Sequence, residues 1–316
     1  MKLKKLWLLG MLLLWKHSYS QDTCKPLYNL PVQKMQVMDK LQLAYVEKGS
    51  GQPIIFIHGL GGNLSHWLKQ VNALSNKFKC IAVDLPGYGY SDKSFTTTKN
   101  QLAFYADVLY SFIEKKGLKN VTLAGHSMGG QIAMMMAINH PKKIAKIILA
   151  APAGLETFSE TEGKMMMAAT PASLFEKQEE PVIRYNFKQN FYQQPSDAEL
   201  LIQDRLRLKS CTDFKQYTAA VSNSIIGMLQ HPVKQDLQKI KQPVLIIFGK
   251  EDALIPNKIF HASFTKEALI ADAMKWLPHA KLVWVAAAGH LVQYEKSQET
   301  TIAINNFLQK KFQQLK

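Results

Sequence analysis

Three cysteines in 316 residues are too few for a disulfide framework, and at positions 24, 80 and 211 they cannot all pair within one chain. Clustered histidine and cysteine ligands are missing, as are a dinucleotide-binding glycine fingerprint and a phosphate loop. Chemistry without metal or cofactor is therefore expected. Acidic residues are scarce beside basic ones, 24 against 39, for a net charge of +15 at pH 7. The lysines are nevertheless spread along the chain and not gathered in one arginine-rich arm, so the excess reads as solubility and loose surface adhesion, and no nucleic-acid partner is expected. Internal repeats and long low-complexity linkers are also lacking.

The apolar run at the start, Leu6 to Trp15, is bounded by Lys5 and Lys16 and is short of the roughly 20 residues that span a bilayer. With Lys2, Lys4 and Lys5 before it and Ser18-Tyr19-Ser20 after it, residues 1–20 read as a cleaved secretory signal and not as a stable anchor. Cleavage would remove four lysines and no acid, leaving 35 basic against 24 acidic residues. Export to the periplasm or the exterior is the expectation. The residues before Cys24, Ser20-Gln21-Asp22-Thr23, are polar, so lipidation is not expected. Cys80 opens an apolar strand and reads as a buried small hydrophobe, while a Cys24–Cys211 bridge stays open with nothing in the sequence to favour it.

What is present is a run of strand and turn signals. Val121-Thr122-Leu123-Ala124 is a β-type run, Gln131 to Ala137 is rich in helix formers, and between them stands Gly125-His126-Ser127-Met128-Gly129. A serine between two glycines on a tight strand-to-helix turn reads as a nucleophile elbow, the glycines being needed where the two backbones nearly touch. At this glycine content the bare pattern has chance odds of roughly one in twenty, so its setting must carry the reading. Upstream, Pro53 to Ile57 is a buried-strand pattern ending in His58-Gly59-Leu60-Gly61-Gly62, whose main-chain N–H groups could serve an oxyanion. Cys80 to Val83 runs into Asp84-Leu85-Pro86-Gly87-Tyr88-Gly89-Tyr90-Ser91. Downstream come Val244 to Asp252 with Ile255-Pro256, and Leu282 to Val285 leading to Gly289-His290.

In order and content these five segments resemble the α/β-hydrolase superfamily, in particular its cap-bearing group of esterases, carbon–carbon bond hydrolases, haloperoxidase-like enzymes and epoxide hydrolases, from about residue 37 to the end. The resemblance implies an α/β fold, a mostly parallel central sheet flanked by helices with an inserted helical cap. Strand–helix alternation stops after Ile147 to Ala150 and resumes at Val244, which divides the chain into a core of 21–154 and 241–316 and a helical cap of 155–240. Within the cap, Asp197 to Leu208 and Phe214 to Leu229 read as helices. Met165-Met166-Met167 could line a substrate tunnel or merely pack half-buried.

The expected chemistry is nucleophilic. Ser127 needs a base, and His290 stands where the family places it, after nucleophile and acid. His126 is too close to the nucleophile on the turn to serve, and His58 is expected to shape the loop beneath the oxyanion site together with Gly59. Asp252 is the expected acid because it follows an apolar strand, with Glu251 its immediate rival and Glu156 the first carboxylate after the preceding strand. Main-chain N–H groups of Leu60 and Met128 are the expected oxyanion donors, and Gly125 and Gly129 the residues that make the elbow possible. A serine at 127 argues against the aspartate-dependent epoxide hydrolases and dehalogenases. The leading expectation is a secreted carboxylic ester hydrolase acting on a small molecule. The alternatives are a carbon–carbon bond hydrolase, a peptidase, a lipase or an acyl transferase on the same triad, and a non-catalytic binding module of the same fold.

Overall fold

The computed structural model describes residues 24–94 and 101–309; residues 1–20, read above as a signal, lie outside them. Eight strands form one sheet: β1 (Gln33–Met38), β2 (Leu41–Lys48), β3 (Pro53–Ile57), β4 (Lys79–Asp84), β5 (Val121–His126), β6 (Ile144–Ala150), β7 (Val244–Gly249) and β8 (Ala280–Val285). Their order is β1-β2-β4-β3-β5-β6-β7-β8. The β1–β2 and β2–β4 pairings are antiparallel and every other pairing is parallel. Strands β3, β5 and β7 are buried at every position, as expected of parallel strands covered on both faces.

Alternation along a strand sends neighbours to opposite faces, and two cores result. Ile55, Ile57, Ile246 and Phe248 join the core under α2 (Gln101–Lys115), α3 (Met128–Asn139) and α9 (Lys266–Trp276). Ile54, Phe56, Leu245 and Ile247 join the core under α1 (Leu68–Leu74), α10 (Val292–Glu295) and α11 (Ser297–Leu308).

Between β6 and β7 come α4 (Glu160–Ala169), α5 (Ala172–Glu176), α6 (Glu180–Lys188), α7 (Glu199–Leu208) and α8 (Phe214–Gln230). The last two coincide within two residues with the helices read from the sequence. Helix α8 is rooted in the first core through Phe214, Tyr217, Ala220 and Val221. Helix α7 joins a small separate cluster in which Phe191, Ala198 and Leu201 pack on Leu291 and Tyr294. Cys24 and Cys211 form a disulfide, with Cα atoms 5.5 Å apart, which ties the first described residues to the α7–α8 corner. Cys80 is buried and free. No helix among the described residues is long and apolar enough to cross a membrane.

Candidate active site

The five functional segments end at one edge of the sheet because parallel strands place their carboxyl ends together, and a crevice forms there. At the end of β5 the chain turns at once into α3, with Ser127 at φ 51° and ψ −116°. Such a left-handed conformation costs about 1–3 kcal/mol for a non-glycine residue and persists only where the surroundings fix it. They do so here: the Ser127 N–H donates to Ala150 O (3.0 Å), and Ser127 O accepts from Gly130 N (2.9 Å) and Ala153 N (3.0 Å). The glycines have the steric reason anticipated for them. A Cβ on Gly125 would lie 2.1 Å from Gly129 O, and one on Gly129 2.3 Å from Ile57 O.

The loops after β7 and β8 meet in the same way. A Cβ on Gly249 would lie 2.3 Å from the main-chain oxygens of Ala288 and Gly289, and Glu251 N donates to Ala288 O (2.9 Å). This contact brings Asp252 against His290, whose Nδ1 lies 2.8 Å from Asp252 Oδ2. Asp252 Oδ1 accepts from Leu254 N (2.8 Å) and Ile255 N (3.1 Å), so the carboxylate is held at both oxygens. Both side chains are buried. With Nδ1–H committed to the aspartate, the Nε2 lone pair of His290 is left for a proton from elsewhere. Glu251 is exposed.

Glu156 accepts Asn257 N at 3.0 Å and contacts His261 Nδ1, a pairing separate from Asp252 and His290. His126 is buried with Nε2 3.1 Å from His290 O, an N–H that steadies the main chain of His290. Burial and the neighbouring histidines push its pKa well below the ordinary value.

Leu60 follows Gly59, where a Cβ would lie 2.7 Å from His126 Nδ1 and 3.2 Å from Ser127 Cβ; the loop can approach Ser127 only as glycine. His58 fixes that loop from below. Its Nδ1–H donates to Gly59 O (2.8 Å), and Leu85 N donates to its Nε2 (3.1 Å), so one neutral tautomer is specified and burial pulls its pKa down to about 4. The N–H of Met128 opens α3, where the helix dipole favours negative charge. Among the described residues no hydrogen bond is seen from the N–H of Leu60 or of Met128 to a main-chain or side-chain acceptor.

Ser127, His290 and Leu60 line a cavity of about 500 Å³. Its cap side carries Met166, Asn186, Gln189, Ile225, Met228 and Leu229, so of the three methionines Met166 faces this cavity. An adjoining chamber of about 170 Å³ shares Leu60, His66, Asn186 and Asn190 and is lined by Phe175 and Phe187.

Two sets of contacts that join cap to core had no signal in the sequence, because each joins segments far apart in the chain. Tyr217 Oη donates to Gly61 O (3.0 Å) and Arg205 Nη2 donates to the same oxygen, so α7 and α8 hold the glycine loop. Glu295 accepts from Gly289 N (2.7 Å), Tyr192 N (3.1 Å) and Gln193 N (2.6 Å), which links the His290 loop to the segment after α6. Beneath the glycine loop Asp84 accepts from Leu64 N (2.9 Å), Tyr90 N (2.8 Å) and Tyr28 Oη (2.9 Å). Burial raises its pKa to about 6 against those bonds. Among the described residues no group of three or more His, Cys, Asp or Glu is arranged to hold a metal ion.

Comparison with known proteins gives the same frame several names. The chain is 27% identical over 278 residues to the dihydrolipoyllysine-residue acetyltransferase component of the acetoin cleaving system of Cupriavidus necator, covering 86% of this chain and 67% of that one. It is 24% identical over 288 residues to a 2-hydroxy-6-oxononadienedioate/2-hydroxy-6-oxononatrienedioate hydrolase of Burkholderia vietnamiensis, covering 86% and 92%. A thermophilic esterase of Thermogutta terrifontis superposes with a TM-score of 0.72 at 23% identity, covering 89% and 98%. The family profile described as alpha/beta hydrolase fold matches residues 52–297. A sheet of this order, a sharp turn at its centre and a match over most of the chain lead to one conclusion: the protein belongs to the α/β-hydrolase fold family.

Proposed function

We propose that the protein is a serine hydrolase that cleaves carboxylic esters of small to medium apolar acids through an acyl-enzyme intermediate. The observation that carries this reading is the Asp252–His290 hydrogen bond of 2.8 Å, buried and opening on the cavity that Ser127 lines. In the proposed reaction Ser127 Oγ bonds to the ester carbonyl carbon as its proton passes to His290 Nε2. Asp252 holds the imidazole in the required tautomer and offsets its positive charge. The carbonyl oxygen, now negative, is met by the N–H groups of Leu60 and Met128. Collapse breaks the bond to the alcohol oxygen, which takes the proton from His290. Water then repeats the sequence, releasing the acid and restoring Ser127.

Apolar lining by Met166, Ile225, Met228 and Leu229 supports acyl groups of about two to eight carbons. The relatives' names divide between acyl transfer, carbon–carbon bond hydrolysis and ester hydrolysis, all of which a serine elbow can serve, so substrate choice rests on the cavity. Export is part of the proposal. The Cys24–Cys211 disulfide supports it, since such bonds persist in oxidising compartments.

A fluorophosphonate probe and a graded series of p-nitrophenyl esters test the reading. Labelling that needs Ser127, with turnover highest for short to medium chains, is the expected result. Folded protein that neither labels nor turns over would favour a binding module, and faster cleavage of a vinylogous diketone than of any ester would favour carbon–carbon bond hydrolysis.

A further inference from the structure

The cavity beside Ser127 has an uneven charge. Neither lysine nor arginine is among its lining residues, and one carboxylate, that of Glu156, is. The histidines of the wall do not balance it: burial pulls His66 down to about 3 and holds His126 well below its ordinary value, so both are neutral at pH 7. His290 is committed to Asp252.

Outside the wall Glu156 meets His261 Nδ1, and His261 Nε2 lies 3.5 Å from Glu162 Oε1. Two carboxylates thus share one imidazole, so acidic side chains outnumber the one basic side chain between them. Arg205, which lines the adjoining chamber, donates to Gly61 O, and three lysines of neighbouring segments have other partners. Lys266 Nζ donates to Asp252 O (3.0 Å), Lys258 Nζ to Phe264 O (2.8 Å), and Lys164 pairs with Glu160. Besides Glu156, the polar residues that the cap brings to this cavity are the amides Asn186, Gln189 and Asn190, which bring no charge.

Glu156 is held rigidly as well. Its side chain is 8% exposed, Asn257 N donates to both of its oxygens, and Phe158 stacks on His261 at 5.2 Å. A fixed, partly desolvated carboxylate acts strongly on a charge brought near it, because neither solvent nor side-chain motion can screen the contact.

We propose that Glu156 sets the charge selectivity of this cavity, admitting acyl groups that are uncharged or end in a cation and rejecting those that end in a carboxylate. The inference rests on the ester-hydrolase reading and narrows its substrate class. It separates this chain from any catalyst of dicarboxylate cleavage that shares its fold.

The parent protein should rank p-nitrophenyl esters of equal chain length in the order trimethylammonium-ended, uncharged, carboxylate-ended. The carboxylate series would run from succinate to suberate monoesters. In Glu156→Gln the ratio of kcat/KM for carboxylate-ended over uncharged ester should rise about tenfold or more, and in Glu156→Asp, which keeps the charge, it should stay near the parent value. A second readout needs no turnover: calorimetric binding of the same uncharged and carboxylate-ended esters to Ser127→Ala, and to Ser127→Ala with Glu156→Gln, should give the same ordering. A parent that takes both esters equally, a ratio unmoved in Glu156→Gln, or a ratio moved equally in Glu156→Asp would each overturn the proposal. Charge-ordered binding to Ser127→Ala without ester turnover by the parent would leave charge selection standing and remove the esterase reading alone.

Discussion

Strand β5 has six consecutive buried residues and ends at the Ser127 turn, whereas α5 has no buried residue and α4 and α6 have one each, Gly163 and Ile183. The strand is immobilised by neighbours on both faces; the first three cap helices rest on α7, α8 and a few specific contacts. Ser127 can therefore hold a strained conformation because close packing leaves it no alternative. The cap is placed by points: the Cys24–Cys211 bond, the two donors on Gly61 O, and the Glu295 carboxylate on Gly289, Tyr192 and Gln193. A region fixed by packing suits chemistry that needs geometry within fractions of an ångström, and one fixed by points suits selection of what enters.

The comparison breaks most severely at the core. Ser127→Ala and His290→Ala should each lower ester turnover by at least about a thousandfold with the fold retained, and the double variant should be little worse than either single one, since triad members act as a unit. Kinetics with circular dichroism on the same samples checks both halves, and folded Ser127→Ala with parental turnover would end the mechanism. Asp252→Asn should cost up to about ten thousandfold through the wrong tautomer, while Glu251→Gln should cost little. A crippled Glu251→Gln would move the acid to its neighbour.

At the points of attachment smaller effects are expected. Cys24→Ser should destabilise the protein by about 2–4 kcal/mol, read as a lower denaturant midpoint, with fluorophosphonate labelling of Ser127 preserved because the sheet does not depend on the tether. Loss of labelling in folded Cys24→Ser would show that cap and core are not separable in this way. Tyr217→Phe removes one of two donors to Gly61 O, and a fall in kcat of about threefold to tenfold with KM little changed is expected. If KM rises and kcat holds, the contact serves binding and not loop position.

Acid should also act on the core first. His58 at about 4 and His66 at about 3 bind protons less readily when folded than the ordinary 6.5 allows, and His126 is lowered too. Their contribution to stability is present above about pH 6.5 and is lost as pH falls toward 4, because the unfolded chain takes up protons that the folded one refuses. Asp84 and Asp204, each raised to about 6 by burial, work in the opposite sense, adding stability as they protonate below that value. Three histidines against two carboxylates still give a net loss, so the melting temperature should drop between pH 6.5 and 4 and drop less in His66→Gln. A flat profile over that range would mean that these rings are not neutral when buried.

Much of the core was legible because it is written in local patterns. Apolar runs of five to seven residues mark the parallel strands, and Gly125 and Gly129 stand where any side chain would strike main chain. The cap was legible only as helices between prolines. Which of its residues face the substrate was not: Met166 lines the large cavity, Met165 is mostly exposed, and Phe175 and Phe187 line the smaller chamber. Helix α4, with one buried position and three successive methionines, carries no clear apolar stripe from which to read orientation.

By itself, then, the sequence determined the alternation of strands and helices, the elbow, and the candidates for acid and base, since periodicity and turn chemistry act over a few residues. Only the tertiary structure decided that Cys24 meets Cys211 across 187 residues, that Asp252 and not Glu156 reaches His290, and that a lone carboxylate faces the cavity. Those outcomes depend on the approach of loops distant in the chain, and the cost of closing a loop grows so slowly with its length that sequence separation alone says almost nothing about which ends meet.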